Sequence, residues 1–293
     1  MLGEVLTAIL TPFHADGSVD VDGFKRLANH LVDNGSDGVV VAGTTGEAPT
    51  LSDEEKLELF AAALEAVGNR ATVVANTGTY DTQHSAHLTG EAHDLGVHAF
   101  LAVTPYYNKP PQRAIVRHFQ EIACMTDKPV LVYNIPSRVV VNVEPATIDE
   151  LAQIENVRGV KQAHPDLGEA KHIVDAGLWL YAGDDNLVLP FVELGGAGGI
   201  CVHSHIWGAE TKEMVGRAKA GDLDGARRLN GEMAPAYDLL KIQTNPIPIK
   251  AAMNLLGHEL GGYRLPMVDP TDDELAQVRA CLERAGVLQP ARA

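Results

Sequence analysis

Two hydrophobic patterns alternate along this chain: short, continuous apolar runs rich in β-branched residues, and longer segments whose apolar positions recur every three or four residues. The first pattern predicts buried strands and the second amphipathic helices. The strand candidates are Val5–Leu10, Gly38–Ala42, Thr72–Ala75, Ala99–Val103, Val130–Asn134, Arg158–Gln162, Leu178–Ala182 and Gly199–Val202. Between and after them lie helical patterns near Val21–Asp33, Ser52–Val67, Thr82–Leu95, Arg113–Thr126, Pro145–Gln153, Leu167–Ala176, Leu187–Leu194 and Ala209–Ala220. Many open at a residue suited to cap the free amides of a first turn, such as Ser52, Asp81 or Asp166.

Eight strand-then-helix units in about 220 residues predict a closed (β/α)8 barrel. Strands that are apolar along most of their length suit parallel strands covered on both faces. A doubly wound open sheet is the alternative. One built for dinucleotides carries a Gly-x-Gly-x-x-Gly turn after its first strand, whereas this first strand runs into Thr11-Pro12-Phe13. Beyond Asp222 come helical patterns near Asp224–Leu240, Pro246–Leu256 and Thr271–Ala285, with no Gly-, Ser- or Pro-rich linker before them. The expected organisation is a barrel over residues 1–222 and a helical region over 223–293 packed on it. No sequence repeat accompanies the repeated architecture.

Composition narrows the function class. The chain has 293 residues, 45% of them hydrophobic, enough for a substantial core. A formal charge of −16 argues against nucleic acid or an anionic membrane as partner, since both demand clustered Lys and Arg. Cys124, Cys201 and Cys281 are odd in number and widely spaced, so neither a disulfide framework nor a zinc knuckle is indicated. Met1-Leu2-Gly3-Glu4-Val5 lacks the basic start and apolar stretch of a signal peptide, and no apolar run approaches the roughly 18 residues of a membrane span. Small-molecule chemistry in a reducing cytoplasm is the expectation.

Within Val157-Arg158-Gly159-Val160-Lys161-Gln162-Ala163, Lys161 places an ammonium where a core residue is expected. Desolvation disfavours the charged form and leaves an amine that can attack a carbonyl. A lysine near pKa ~10.4 must come down by about 3 to be largely neutral at neutral pH, roughly 4 kcal/mol. The plain alternative is an edge-strand lysine whose stem snorkels to solvent. On a barrel, function collects where strands end. There stand Gly43-Thr44-Thr45-Gly46-Glu47, Thr104-Pro105-Tyr106-Tyr107-Asn108 and Tyr133-Asn134-Ile135-Pro136-Ser137-Arg138. Each has a structural reading too: a tight turn, a half-buried aromatic, a surface charge. Asp184-Asp185 precedes an apolar segment, and N-capping is the favoured reading over a metal or acid/base pair. Gly195-Gly196-Ala197-Gly198-Gly199 reads as a helix stop. His203-Ser204-His205 offers two imidazoles but no obvious carboxylate set for a metal.

Gly43-Thr44-Thr45-Gly46-Glu47, Tyr133-Asn134-Ile135-Pro136 and Gly159-Val160-Lys161, in that order, resemble the dihydrodipicolinate synthase and N-acetylneuraminate lyase superfamily of Schiff-base aldolases on (β/α)8 barrels. The similarity runs from Thr7-Ala8-Ile9-Leu10-Thr11-Pro12-Phe13 to Arg264-Leu265-Pro266-Met267 and includes Thr104-Pro105-Tyr106-Tyr107 and Asn245-Pro246-Ile247-Pro248-Ile249-Lys250. The resemblance implies that Lys161 forms an imine with pyruvate, with no cofactor and no metal. It implies that Thr45 and Ile200 line the pyruvate site, with the backbone of Thr44, Thr45 and Gly183 near its carboxylate. It further implies a proton relay of Tyr133, Thr44 and Tyr107, the last contributed across a dimer interface. Arg138 stands where the synthase branch binds the carboxylate of aspartate semialdehyde, a task suited to a two-pronged guanidinium. The implied partners are these two small molecules and further copies of the chain in a homotetramer, a dimer of dimers.

Several positions depart from the pattern. Val139-Val140-Val141 follow Arg138 where Thr-Gly is common, and Gln162 replaces an acidic neighbour of the lysine. His203 and His205 replace smaller side chains, so a reshaped aldehyde pocket is expected, and action on a different aldehyde or a 2-keto-3-deoxy acid stays open. A metal-dependent hydrolase on His203, His205 and the aspartate pair, or a barrel that only senses keto acids, are the readings from other classes. Lys56, Tyr80 and His84 beside Tyr106 match the places where lysine-inhibited relatives hold lysine. Cationic groups there predict weak feedback.

Overall fold

The computed structural model describes residues 1–289; the last four positions of the expected 223–293 region lie outside the described residues. Eight parallel strands close into a barrel in sequence order: β1 (Val5–Ala8), β2 (Gly38–Val41), β3 (Thr72–Asn76), β4 (Ala99–Val103), β5 (Val130–Asn134), β6 (Val157–Gln162), β7 (Trp179–Ala182) and β8 (Gly198–Cys201). The outer helices are α1 (Val21–Asp33), α2 (Asp53–Val67), α3 (Thr82–Leu95), α4 (Gln112–Ala123), a single turn α5 (Pro136–Val139), α6 (Pro145–Leu151), α7 (Leu167–Asp175), α8 (Val188–Glu193) and α9 (Ser204–Lys219). Then come α10 (Leu223–Glu232), α11 (Ala234–Leu239), α12 (Ile247–Leu255) and α13 (Asp272–Arg284). The capping expectations hold: Ser52 and Glu55 form a reciprocal capping box on α2, and Asp81 and Asp166 accept from the first-turn amides of α3 and α7.

Alternation along the strands separates two cores. Val39, Val41, Phe100, Val130, Val132 and Val160 face the helices, while Leu6, Val40, Val74, Leu101, Leu131 and Ile200 fill the barrel. By the same period of two, Lys161 follows outward-facing Val160 and points inward, in register with Tyr133 on β5 and Tyr181 on β7. A strand buried on both faces has no solvent edge to which a lysine stem can snorkel. Gly159 allows the close strand approach beneath it, since a Cβ there would meet Trp179 O at 2.6 Å and Leu131 Cδ2 at 2.9 Å.

Three predicted elements need correction, the first being the helix expected at Ala209–Ala220, which opens at Ser204 with Trp207 non-helical inside it. The single pattern Asp224–Leu240 is two helices, α10 and α11, because Pro235 cannot donate an amide and starts a new first turn. The region Leu187–Leu194 begins earlier, as a 3-10 turn at Asp185–Leu187, and Asp184 makes no side-chain cap. The C-terminal helices join the barrel through a buried cluster rather than lying loosely on it. Lys250 of α12 is fully buried, with Nζ 3.0 Å from Glu47 Oε1 and 4.3 Å from the centre of the Phe13 ring. The Arg264 amide donates to Glu47 Oε2 at 3.0 Å, and its guanidinium forks onto Glu55 at 2.7 and 2.5 Å.

Candidate active site

At the C-terminal ends of the strands a cavity of about 320 Å3 is walled by Thr44, Thr45, Tyr133, Arg138, Lys161 and Gly183, with Asp184, Asp185 and Asn245 beside them. Six residues singled out from sequence thus share one wall. Lys161 is only 5% exposed, and its ammonium makes no hydrogen bond or ion pair among the described residues; it sits 4.2 Å from the centre of the Tyr133 ring. Burial pushes it down to about 8, against the pull of Asp185 and Asp184 upward, with Arg138 adding to the depression. A tenth of the side chain is therefore neutral near pH 7, roughly.

Tyr133 is buried at the end of β5 and its phenol is raised, first by desolvation and then by Asp184, while Arg138 and a contact from the Thr44 side chain offset part of the rise. It is therefore a protonated donor at neutral pH. Thr44 and Thr45 occupy the turn after β2, and neither backbone N–H is used by another group among the described residues. Two free amides in one turn make a small anion nest. The Thr45 hydroxyl accepts from Asn245 Nδ2 at 2.9 Å, so the segment before α12 helps set the turn. The turn closes at Glu47, which holds a left-handed conformation, φ 58°, over its ion pair with Lys250. Arg138 reaches from α5 over the cavity, exposed, with Nη2 3.5 Å from Thr244 Oγ1.

Three sequence-predicted residues stand differently. The Gly183 N–H donates to Gln162 O at 2.8 Å, so it has no amide to spare for a carboxylate. Its lack of a side chain matters instead, because a Cβ would lie 2.8 Å from that of Ala163. Ile200 is fully buried among the interior apolar residues and is not part of the cavity lining. Tyr107 is 92% exposed at φ 72° and does not reach the cavity of its own chain.

The two histidines expected on strand eight instead follow it, His203 at the start of α9 and His205 within it. Both are fully buried, and neither lines the cavity, so they do not reshape it. His205 spends both nitrogens on backbone, Nε2 accepting from Leu10 N at 3.2 Å and Nδ1 donating to Val202 O at 2.7 Å. Asp185, Cys201 and His203 form the one group of potential metal ligands among the described residues. Yet His203 contacts Asp185 through Nδ1 and Thr211 Oγ1 through Nε2, at 2.7 Å, so the imidazole has no lone pair to offer. Asp185 does not cap a helix as expected. It accepts from the amides of Val202 and His203 at 2.8 and 2.7 Å, pinning the corner after β8. The carboxylate missing at Gln162 is supplied from α7: Gln162 bonds Asn134 at 2.8 Å and Glu169 at 3.3 Å.

The model of the dihydrodipicolinate synthetase family matches residues 1–285. This chain belongs to that family. Among the curated relatives, the 4-hydroxy-tetrahydrodipicolinate synthase of Moorella thermoacetica is 47% identical over 289 residues, 98% of this chain and 99% of the relative. That of Mycolicibacterium paratuberculosis is 46% identical, covering 98% and 96%. A solved dihydrodipicolinate synthase from Cyanidioschyzon merolae with lysine bound superposes with a TM-score of 0.95 at 39% identity, over 98% of this chain and 99% of that one. The family's barrel with C-terminal helices is the architecture seen here.

A second cavity of about 520 Å3 adjoins the first and shares Thr44, Tyr133 and Arg138 with it. Its far wall holds Lys56 and His84, both paired to Asp53, at 3.0 and 2.6 Å, with Tyr80 and Tyr106 edge to face above.

Proposed function

We propose that this chain is a lyase that condenses pyruvate with L-aspartate 4-semialdehyde to 4-hydroxy-tetrahydrodipicolinate, the activity named for its curated relatives. The observation that carries the reading is a buried, unpaired amine facing a cavity with a protonated phenol beside it and two free amides at its rim. In this reading Lys161 Nζ attacks the keto carbon, the carbonyl oxygen departs as water after taking two protons, and the imine loses a methyl proton to become an enamine. Tyr133, through Thr44, is the proton carrier, since a phenol moves a proton without leaving a fixed charge beside the imine. The amides of Thr44 and Thr45 suit the pyruvate carboxylate, and Arg138, exposed at the mouth, suits that of the semialdehyde. No cofactor is invoked; the covalent imine does that work.

Assembly and place belong to the same proposal. Tyr107, strained and exposed, would complete the relay of a neighbouring copy within a dimer of dimers. Three free cysteines are consistent with a reducing cytoplasm, and no described helix is long and apolar enough to cross a membrane. The test is peptide mapping after pyruvate and borohydride, with Lys161→Ala as control and a semialdehyde chase before reduction. An adduct on Lys161 that the semialdehyde discharges is the expected result. A persistent adduct would point to another aldehyde, and none at all would remove the Schiff-base mechanism.

A further inference from the structure

His203 lies directly behind the cavity wall, and its hydrogen bonds define its protonation. Thr211 has one hydroxyl proton, and its Oγ1 lies 2.7 Å from Trp207 O, which can only accept. That proton is spent, so the 2.7 Å contact between Thr211 Oγ1 and His203 Nε2 must carry a proton on Nε2. On the other side, Nδ1 meets Asp185 Oδ1, which already accepts two backbone N–H groups. A carboxyl oxygen in that position has no room for a proton of its own. The pattern that satisfies every atom is an imidazolium donating from both nitrogens to an ionised Asp185 and a threonine oxygen.

We propose that His203 is a positioning residue: as a buried imidazolium it cancels the charge of Asp185 and so keeps the amine of Lys161 free to add to a keto acid. The inference rests on the Schiff-base reading of Lys161. Asp185 lines the lysine's cavity, and the charged or titratable groups around that lysine are Tyr133 and Arg138 from the β5 side, Asp184 and Asp185 after β7, Cys201 on β8, and Tyr237 of α11 with Lys241 just beyond it. Around His203 itself stand Asp185, Cys201 and, from α11, the edge-on ring of Tyr237. Cys201 is held as a neutral thiol by burial, and Asp184 is raised by the same cause together with Asp185. Asp185 is the ionised neighbour, held below the usual carboxylate range against burial by the His203 imidazole first and by the Val202 and His203 amides after it, and those amides remain when the imidazole is replaced. Remove the imidazole and one uncompensated carboxylate faces the lysine, which then favours ammonium.

The experiment follows borohydride trapping of pyruvate on the full-length protein from about pH 6 to about pH 10, for wild type, His203→Asn and the double variant Asp185→Asn with His203→Asn. Asparagine keeps a donor toward Asp185 but no charge. The expected result is a trapping midpoint about one pH unit higher in His203→Asn, a roughly tenfold slower reaction near neutrality, with the midpoint restored in the double variant. An unchanged midpoint, whatever happens to the maximal rate, overturns the inference and leaves the Schiff-base reading intact. No wild-type adduct at any pH overturns that reading first. Should His203→Asn fail to fold, nitrogen NMR of histidine-labelled wild type decides: two ring protons on His203 in the folded protein are expected, and a singly protonated ring refutes the proposal.

Discussion

Replacing Lys250 by methionine tests whether the C-terminal helices hold the turn that carries Thr44 and Thr45. The side chain is fully buried between Glu47 and the rings of Phe13 and Tyr263, at 4.3 and 5.1 Å. Methionine fills similar volume but deletes the ammonium, leaving Glu47 with the Arg264 amide as its remaining listener at Oε2 and nothing at Oε1. Breaking one side of a buried pair costs about 3–5 kcal/mol, because a charge stays behind without a partner. At about 2 °C per kcal/mol for a large domain, the thermal midpoint should drop by roughly 6–10 °C. Pairing Lys250→Met with Glu47→Gln removes the stranded charge, and most of the loss should return. Circular dichroism melts of wild type, both single variants and the double variant complete the cycle. Pyruvate trapping should weaken in Lys250→Met even well below its melting point, since Glu47 ends the Thr44–Gly46 turn in a left-handed conformation. A single variant within about 1 kcal/mol of wild type, or a double variant no better than Lys250→Met, would refute the argument.

Because Lys161 is depressed to about 8, its reactive amine fraction grows as pH rises through that value, so trapping should be slow at pH 6 and level off above 9; a profile still climbing steeply beyond pH 10 would contradict this. His118 and His205 are each pushed by burial to about 4 from 6.5, so below 6.5 the unfolded chain binds protons that the fold refuses. Stability should fall by about 2 kcal/mol per histidine between pH 7 and pH 5, with His118→Gln flattening the slope of the urea midpoint against pH. Val140 is a β-branched residue at φ 73° on the surface, so Val140→Gly should raise the melting temperature, the relief of about 1–3 kcal/mol exceeding the added chain entropy; a lowered midpoint would show the backbone there to be unstrained. With Lys56 and His84 in the second cavity already sharing Asp53, free lysine should inhibit weakly, and half-inhibition below about 1 mM would sink that expectation.

Most of the barrel was legible because its signals are local. The strand patterns at Ala99–Val103 and Val130–Asn134 and the helix at Val21–Asp33 coincide with the structure to the residue. Boundaries slipped where a proline or a cavity intervened, as at Pro235 and Asp185. The candidate site was legible only in part. Lys161 and Tyr133 announce themselves as polar groups in apolar strands, whereas Asp185 looked like a cap and His203 like a reshaper of the aldehyde pocket, because the partners that define them, Val202 N and Thr211 Oγ1, are set by the fold. Glu47 and Lys250 are 203 positions apart, and no periodicity joins them.

The sequence by itself determined the eightfold alternation of strand and helix, the placing of Lys161 within an apolar strand and the collection of hydroxyls, phenols and a guanidinium at strand ends, since a period of two and a period of 3.6 are properties of a chain and need no neighbours. Only the tertiary structure decided which charges cancel. Which group meets Asp185, and whether Glu47 is an exposed turn residue or one half of a buried pair, depends on partners that the fold brings together, 18 positions apart in the first case and 203 in the second. Electrostatic energy depends on separation and burial in space, and neither is written along the sequence.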